Sequence, residues 1–249
     1  MEHHHAAPSD DATAMTVRSD RVAAHQRARA WLARSGAWLD ASQRLAVAAE
    51  VRQVRGCQLC AARKAAVSPF AIDGVHDGCG PLPATWTDIV HRIVSDPGRL
   101  TRGWYERTVA HAITDREYVE VAGVIATITA VDTFARGLGA TPWSLPEPVA
   151  GAPSRHRPKE ARHHQAWVPH ILAGEQGLDE ADFFQGQPAN IRMALTLVPD
   201  EARGFFDLVA HQYIPGPAMN DFGHEYRAIT HAQIELLAGR VSAINQCTY

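Results

Sequence analysis

The stretch that most constrains this chain is TDREYVEVAGVIATITAVDTFARGLG, residues 114–139. Thr114 stands as an N-cap, Glu117 follows at capping-box spacing, and a long apolar body runs to Gly137 and Gly139. The many β-branched residues in that body suit a strand. Its length and its caps predict a buried helix instead. A helix apolar on most faces needs other helices around it, and the sequence supplies them. Apolar residues recur every three or four positions in residues 21–39, broken at Ser35-Gly36, and in residues 40–56, which open on Asp40 as N-cap and close on Gly56. Helical patterns return at 85–95, 100–112, 160–174, 179–184, 189–198, 200–213 and 230–244. No segment reads as a convincing strand, so the expected fold class is all-α.

The boundaries follow composition. Residues 1–20 lack hydrophobic periodicity and are expected to be a disordered tail. Residues 21–139 form an N-terminal helical unit, residues 140–160 a Pro/Gly-rich connector, and residues 161–249 a C-terminal helical unit. With 46% hydrophobic and 20% charged residues, a chain of 249 has ample core. A net charge of −3 gives no electrostatic case for nucleic acid or an anionic membrane. The longest apolar run, VAGVIATITAV, is too short to span a bilayer, and no secretion signal opens the chain. Four cysteines do not make a disulfide scaffold at this length. A cytoplasmic protein with a few purposeful thiols is expected.

The two units share landmarks. Pro83-Ala84 and Pro188-Ala189 each precede a helical pattern, and Val109-Ala110-His111 and Val209-Ala210-His211 lie near the end of the next. Each unit then carries a capped helix with a glutamate, Glu120 or Glu235, with Asp132 or Cys247 twelve residues later. Coincident landmarks in one register point to a duplication. A weaker third copy places Leu45 at the glutamate position and Cys57 at the cysteine position.

Chemistry concentrates in CQLC. A Cys-x-x-Cys opening a helix puts Cys57 and Cys60 on one turn, where the helix N-terminus favours a thiolate on the first and the second can close an internal disulfide. Half of a zinc site or two packed small residues are the other readings. Zinc needs four ligands, and no second CxxC or standard His pair follows, so redox is preferred and no metal is expected. Lys64, one turn past Cys60, either favours a thiolate or is simply solvated. Cys79 reads as a loop thiol without a special role. His91, His111 and His211 read as satisfied histidines in apolar helices, although histidines and carboxylates converging in a bundle could hold a metal or haem. Glu120 reads as the partner of a buried group.

The tail IELLAGRVSAINQCTY, with PANIRMALTLVP and RGFFDLVAHQY upstream, resembles the alkylhydroperoxidase D / carboxymuconolactone decarboxylase superfamily, closest to alkylhydroperoxidase-related proteins, some of them selenoproteins. The motif is Glu, eleven residues, Cys-x-x-Cys, three residues, His. Glu235 and Cys247 match its front half, and the chain stops one residue before the second cysteine, a position the resemblance would let selenocysteine occupy. The resemblance implies a duplicated helical bundle and thiol-dependent reduction of alkyl or hydrogen peroxides. The later cysteine would attack, the earlier one would resolve, and Glu and His would relay protons. The site residues so implied are Glu235 and Cys247, with Cys57 and Cys60 as the first pair. No cofactor beyond that selenocysteine is implied. The partners are a small peroxide and a dithiol reductant, in a homo-oligomer. The alternative is a non-redox protein of the same fold, decarboxylase-like or a binding module.

Overall fold

The computed structural model describes residues 17–184, 190–214 and 218–247, with the backbone alone at residues 109 and 110. Among the described residues eight α-helices carry the fold: α1 Ser19–Leu32, α2 Ala41–Gln53, α3 Gln58–Ala65, α4 Ala84–Ser95, α5 Arg102–Ala112, α6 Asp115–Gly137, α7 Pro199–Gln212 and α8 His231–Ile244. Among the described residues the only β-pairing is an isolated bridge between Arg162 and His170. The all-α expectation holds.

Local chemistry sets the helix starts. Asp40 accepts from the Gln43 amide while the Gln43 side chain accepts from the Asp40 amide. The same reciprocal box forms between Thr114 and Glu117 for α6 and between Thr230 and Gln233 for α8. Each box satisfies two amides that a helix start leaves without partners, worth about 1 kcal/mol per cap.

α6 is the central element, as its composition requires. Val121, Val124, Ile125 and Ile128 join Val47, Val51, Ile89, Val90 and Trp104 in the main core. Val119 packs with Leu197, Val198 and Ala202 in a second cluster, and Val131 with Ala24, Ala28 and Leu208 in a third. By length and composition the whole of α6 could cross a membrane. Two of its buried acids have protein partners: Glu120 pairs with Arg44, and Asp132 accepts twice from Arg52.

The Glu120 pairing ties three helices together. Arg44 of α2 reaches Glu120 of α6 at 2.9 Å and Glu201 of α7, and all three side chains are essentially inaccessible. Glu120 also accepts from the amides of Trp38 at 2.7 Å and Leu39 at 3.4 Å. Glycines make room for both acids. A Cβ on Gly36 would lie 2.0 Å from the Glu120 carboxylate, and one on Gly123 2.9 Å from Glu201. Glu120 therefore satisfies buried partners, as its sequence context suggested.

Burial and the neighbouring Glu201 charge push the Glu120 carboxyl up to about 7, against the pull of Arg44. Its pKa is thus raised above the 4.5 of an unfolded glutamate. The native state holds this proton where the unfolded chain has lost it. The contribution is fully present below about pH 4.5 and is lost as pH rises through about 7. We expect it to be on the order of 2–3 kcal/mol between pH 4.5 and 8. Urea unfolding of the wild type and Glu120→Gln across that range measures it. The difference between the two slopes should vanish if Glu120 does not titrate in the folded protein.

Three expected helices do not form. Residues 160–174 run irregularly, residues 178–180 and 190–193 are single 3-10 turns, and residues 185–189 lie outside the described set. Pro169 interrupts the first pattern, because it offers no amide to a helix interior. The segment instead pairs Arg162 with His170 in both directions and donates the Ile171 amide to the Thr196 hydroxyl. The connector at 140–160 is irregular as expected, and it is anchored: the amides of Val149, Ser154 and Arg155 donate to the carbonyls of Ala33, Gly36 and Ala37.

The two units share the order of helix and capped helix, α5–α6 and α7–α8. Their glutamates sit differently. Glu120 is six residues past its cap and buried, whereas Glu235 is five past its cap and half exposed. α8 buries His231 and Ile234 and leaves Leu236, Leu237, Val241 and Ile244 exposed.

Candidate functional site: a buried dithiol between two carboxylate-backed histidines

The CQLC turn starts a helix as its sequence predicts. Cys57 is the extended N-cap residue of α3, and Cys60 lies in its first turn. Residues 66–83 then fold back over this end of α3. The Asp77 carboxylate accepts from the Gln58 amide at 2.8 Å, which caps the helix and seats His76 beside the thiols. α4 lies alongside and contributes Asp88 and His91. α2 contributes Glu50 from below.

The result is a compact polar cluster inside an apolar shell. Cys57 Sγ is 3.4 Å from His76 Nδ1, and Cys60 Sγ is 3.6 Å from the same atom. Cys60 Sγ is also 3.2 Å from His91 Nδ1. One ligating atom from each of Cys57, Cys60, His76 and His91 lies within 4.8 Å of every other. Both cysteines are nearly inaccessible, at 2% and 4% exposure.

Each histidine is held from behind. His91 Nε2 is 2.7 Å from Glu50 Oε1, with both side chains inaccessible. His76 Nε2 is 3.0 Å from Asp88 Oδ1. Glu50 as a carboxylate accepts from His91 Nε2, which leaves His91 Nδ1 facing sulfur; His76 Nε2 lies beside both Asp88 and the Arg63 guanidinium, 2.9 Å away, and its Nδ1 faces both sulfurs. Asp88 is itself fixed by Arg63 at 2.7 Å and Arg92 at 2.8 Å. Glu50 accepts from the Cys79 amide at 3.1 Å and takes the Cys79 thiol at 3.5 Å.

The charges follow. Burial would lower the His76 pKa, but Asp88 and the two thiols prevail and raise it to about 10. Asp88 is held well below the usual carboxylate range: its hydrogen bonds to His76, Arg63 and Arg92 outweigh burial. Burial raises the Cys57 thiol, yet the Asp77 and Cys60 amides and His76 bring it below an ordinary cysteine. His91 is lowered, chiefly by burial, against the pull of Glu50. A cationic His76 therefore faces Cys57, and a neutral His91 offers its lone pair to Cys60. Burial and Glu50 raise the Cys79 thiol.

Two of the four expected site residues, Cys57 and Cys60, are thus brought together. The other two lie on and after α8. Glu235 accepts from the Tyr213 hydroxyl at 2.6 Å and lies 3.5 Å from His231. α8 stops at Ile244, and Gln246 takes a left-handed φ of 54°, so the chain breaks from the helix at Asn245-Gln246. Cys247 is exposed just past it, and residues 248 and 249 lie outside the described set. Lys64 is exposed, in keeping with a solvated lysine. His111 is exposed and His211 partly so, whereas His91 is fully buried between Cys60 and Glu50.

Sequence reasoning missed Glu50, His76 and Asp88, and it read His91 as a satisfied histidine of an apolar helix. The register that placed Leu45 at the glutamate position looked past Glu50, one and a half turns further along α2. The donor set that the sequence lacked at standard spacing exists in space, because His76 comes from a loop and His91 from α4. A mostly apolar cavity of about 1000 Å³ lies elsewhere, lined by Arg18, Arg21, Phe134, Tyr213, Leu237 and Val241. The clustered chemistry is not in it. Compared with protein-family models, with curated proteins and with solved structures, the chain matches none.

Proposed function

We propose that the protein is a thiol-dependent peroxidase whose working pair is Cys57 and Cys60. One observation carries the reading: Cys60 Sγ lies 3.2 Å from His91 Nδ1, and the far nitrogen of that ring lies 2.7 Å from the buried Glu50 carboxylate. Nucleophile, base and orienting acid in one line are what activation of a thiol needs. The resemblance of the chain to the alkylhydroperoxidase D superfamily, where the later cysteine of a pair attacks, supports the same assignment.

In this mechanism His91 takes the Cys60 thiol proton at Nδ1, and Glu50 stabilises the resulting imidazolium. The thiolate attacks the terminal oxygen of a hydroperoxide. The O–O bond breaks, the S–O bond forms, and the departing alkoxide takes the proton back from His91. Cys60 is then a sulfenic acid and the peroxide an alcohol, or water from hydrogen peroxide. Cys57 attacks the Cys60 sulfur, expels water and closes the disulfide. An external dithiol reduces it. Access to nearly inaccessible sulfurs favours small hydroperoxides over bulky ones.

The test uses the reduced protein with hydrogen peroxide and an alkyl hydroperoxide. Peptide mass spectrometry should find a Cys57–Cys60 disulfide. Cys60→Ser should stop peroxide consumption, and Cys57→Ser should stall at a sulfenic acid that dimedone traps. A Cys60→Ser protein that consumes peroxide at the wild-type rate, or a wild type whose two thiols survive the oxidant while folded, ends the proposal.

A further inference from the structure

We propose that the reduced site binds one zinc ion through Cys57 Sγ, Cys60 Sγ, His76 Nδ1 and His91 Nδ1, and that hydroperoxide expels it by closing the Cys57–Cys60 disulfide. Metal binding rests on the geometry alone; expulsion rests on the dithiol reading above.

The spacing of the four atoms is the first argument. Tetrahedral zinc with bonds of about 2.3 Å to sulfur and about 2.0–2.1 Å to nitrogen sets its S and N ligands about 3.6 Å apart. Three of the four S···N distances are 3.2, 3.4 and 3.6 Å, and every pair of the four donor atoms lies within 4.8 Å. Three of the six edges therefore already match a zinc tetrahedron, and the others need only close by a small shift.

The outer partners are the second argument. Zinc-bound histidines almost always donate their other ring N–H to a carboxylate or carbonyl, which fixes the tautomer and the ring plane. Both histidines have a carboxylate at that place: Glu50 is 2.7 Å from His91 Nε2, and Asp88 is 3.0 Å from His76 Nε2, with Arg63 2.9 Å from the same nitrogen. A reactive thiol requires one such histidine, and a second with its own carboxylate is what a metal adds. Arg63 and Arg92 hold Asp88 in place for that task.

The donor set selects the ion. Two thiolates and two imidazoles in a tetrahedron suit zinc, whereas magnesium and calcium take oxygen. Two thiolates also neutralise the dication, so the buried site holds no net charge of its own. Four protein ligands leave no open position, which makes this a closed site rather than a Lewis-acid one. The spacing explains why sequence inspection passes over it. Fifteen residues (61–75) separate Cys60 from His76, and fourteen (77–90) separate His76 from His91.

Oxidation and zinc compete for the same electrons. Two zinc-bound thiolates, one hydroperoxide and two protons give one disulfide, free zinc, one alcohol and one water. Each sulfur loses one electron, and the O–O bond accepts both. Zinc thus shields the dithiol until the oxidant prevails, and reduction restores the site.

The experiment begins with protein reduced and freed of metal by a chelator, then titrated with zinc sulfate and, separately, with cobalt(II). We expect one zinc per chain by elemental analysis, and for cobalt the intense visible bands of a tetrahedral thiolate site. Asp88→Asn should weaken zinc about 10- to 100-fold, and His76→Ala, which removes a ligand, should weaken it further. Cys247→Ser should bind as the wild type does. Hydrogen peroxide should release the zinc, read with a chromogenic chelator, in step with disulfide formation. The loaded protein should oxidise about tenfold more slowly than the metal-free one. Absence of stoichiometric zinc, an octahedral cobalt spectrum, or unchanged affinity in both His76→Ala and Asp88→Asn overturns the metal site. Zinc retained while the disulfide forms overturns expulsion. A metal-free protein that turns over peroxide but binds no zinc leaves the peroxidase standing. Zinc binding in a protein inert to peroxide does the reverse.

Discussion

Arg44→Met should cost about 3–5 kcal/mol and lower the melting temperature by about 10 °C. The side chain is inaccessible and is the shared cation of Glu120 and Glu201, so its loss leaves two acids without a counter-charge inside the core. Removing one partner from a buried ion cluster is far more damaging than replacing the whole cluster with neutral groups of similar volume. The triple variant Arg44→Met, Glu120→Gln, Glu201→Gln should therefore recover most of the loss. The single variant should also suffer less at pH 5 than at pH 8, because the orphaned acids can take up protons. Thermal melts by circular dichroism at both pH values test this. An Arg44→Met protein as stable as the wild type would mean that α2, α6 and α7 are joined by apolar packing alone.

His91→Gln should slow peroxide oxidation of Cys60 by about 10²- to 10⁴-fold, the range that general acid–base catalysis by a positioned side chain supplies. In the proposed mechanism His91 carries the proton both ways, from Cys60 and to the departing alkoxide. Glutamine can hydrogen-bond to sulfur but cannot relay a proton. Glu50 acts through the ring, so Glu50→Gln should give a smaller loss while the site keeps its shape. The check is the rate of sulfenic acid formation on metal-free protein, trapped with dimedone, set beside the rate at which added dithiol reduces the disulfide. The first should collapse in His91→Gln, and the second should stay within a few-fold of the wild type. Oxidation of His91→Gln at the wild-type rate would remove the histidine from the mechanism, leaving the α3 N-terminus and His76 as the activators of the thiols.

The cluster also explains why a core helix end carries so many charges. Glu50, Asp88, Arg63, Arg92 and His76 sit around two thiols with little solvent. Each has a partner, which is how a protein tolerates ionised groups in its interior. Cys79, whose amide and thiol both reach Glu50, links the loop at residues 66–83 to the carboxylate behind His91.

The helix starts were determined by the sequence itself. Asp40 with Gln43, Thr114 with Glu117, and Thr230 with Gln233 close their boxes within four residues, so no distant contact is needed. The same holds for CQLC, where Cys57 caps α3 because its neighbours favour a helix start. The length and apolarity of α6 fixed its place at the centre, since only burial on most sides stabilises such a helix. Tertiary structure decided what lies beyond that local range. Residues 160–174 have a helical pattern, yet Pro169 and pairing with Thr196 hold them irregular. Glu50, His76 and His91 meet Cys57 and Cys60 from three separate elements. Their side chains carry no periodic signal that would announce the meeting. A caps motif is a contact between near neighbours and is written in adjacent letters. A dithiol with its base, its acid and its second histidine is a contact between distant ones, and only the packing of α2, α3 and α4 under a folded-back loop brings it about.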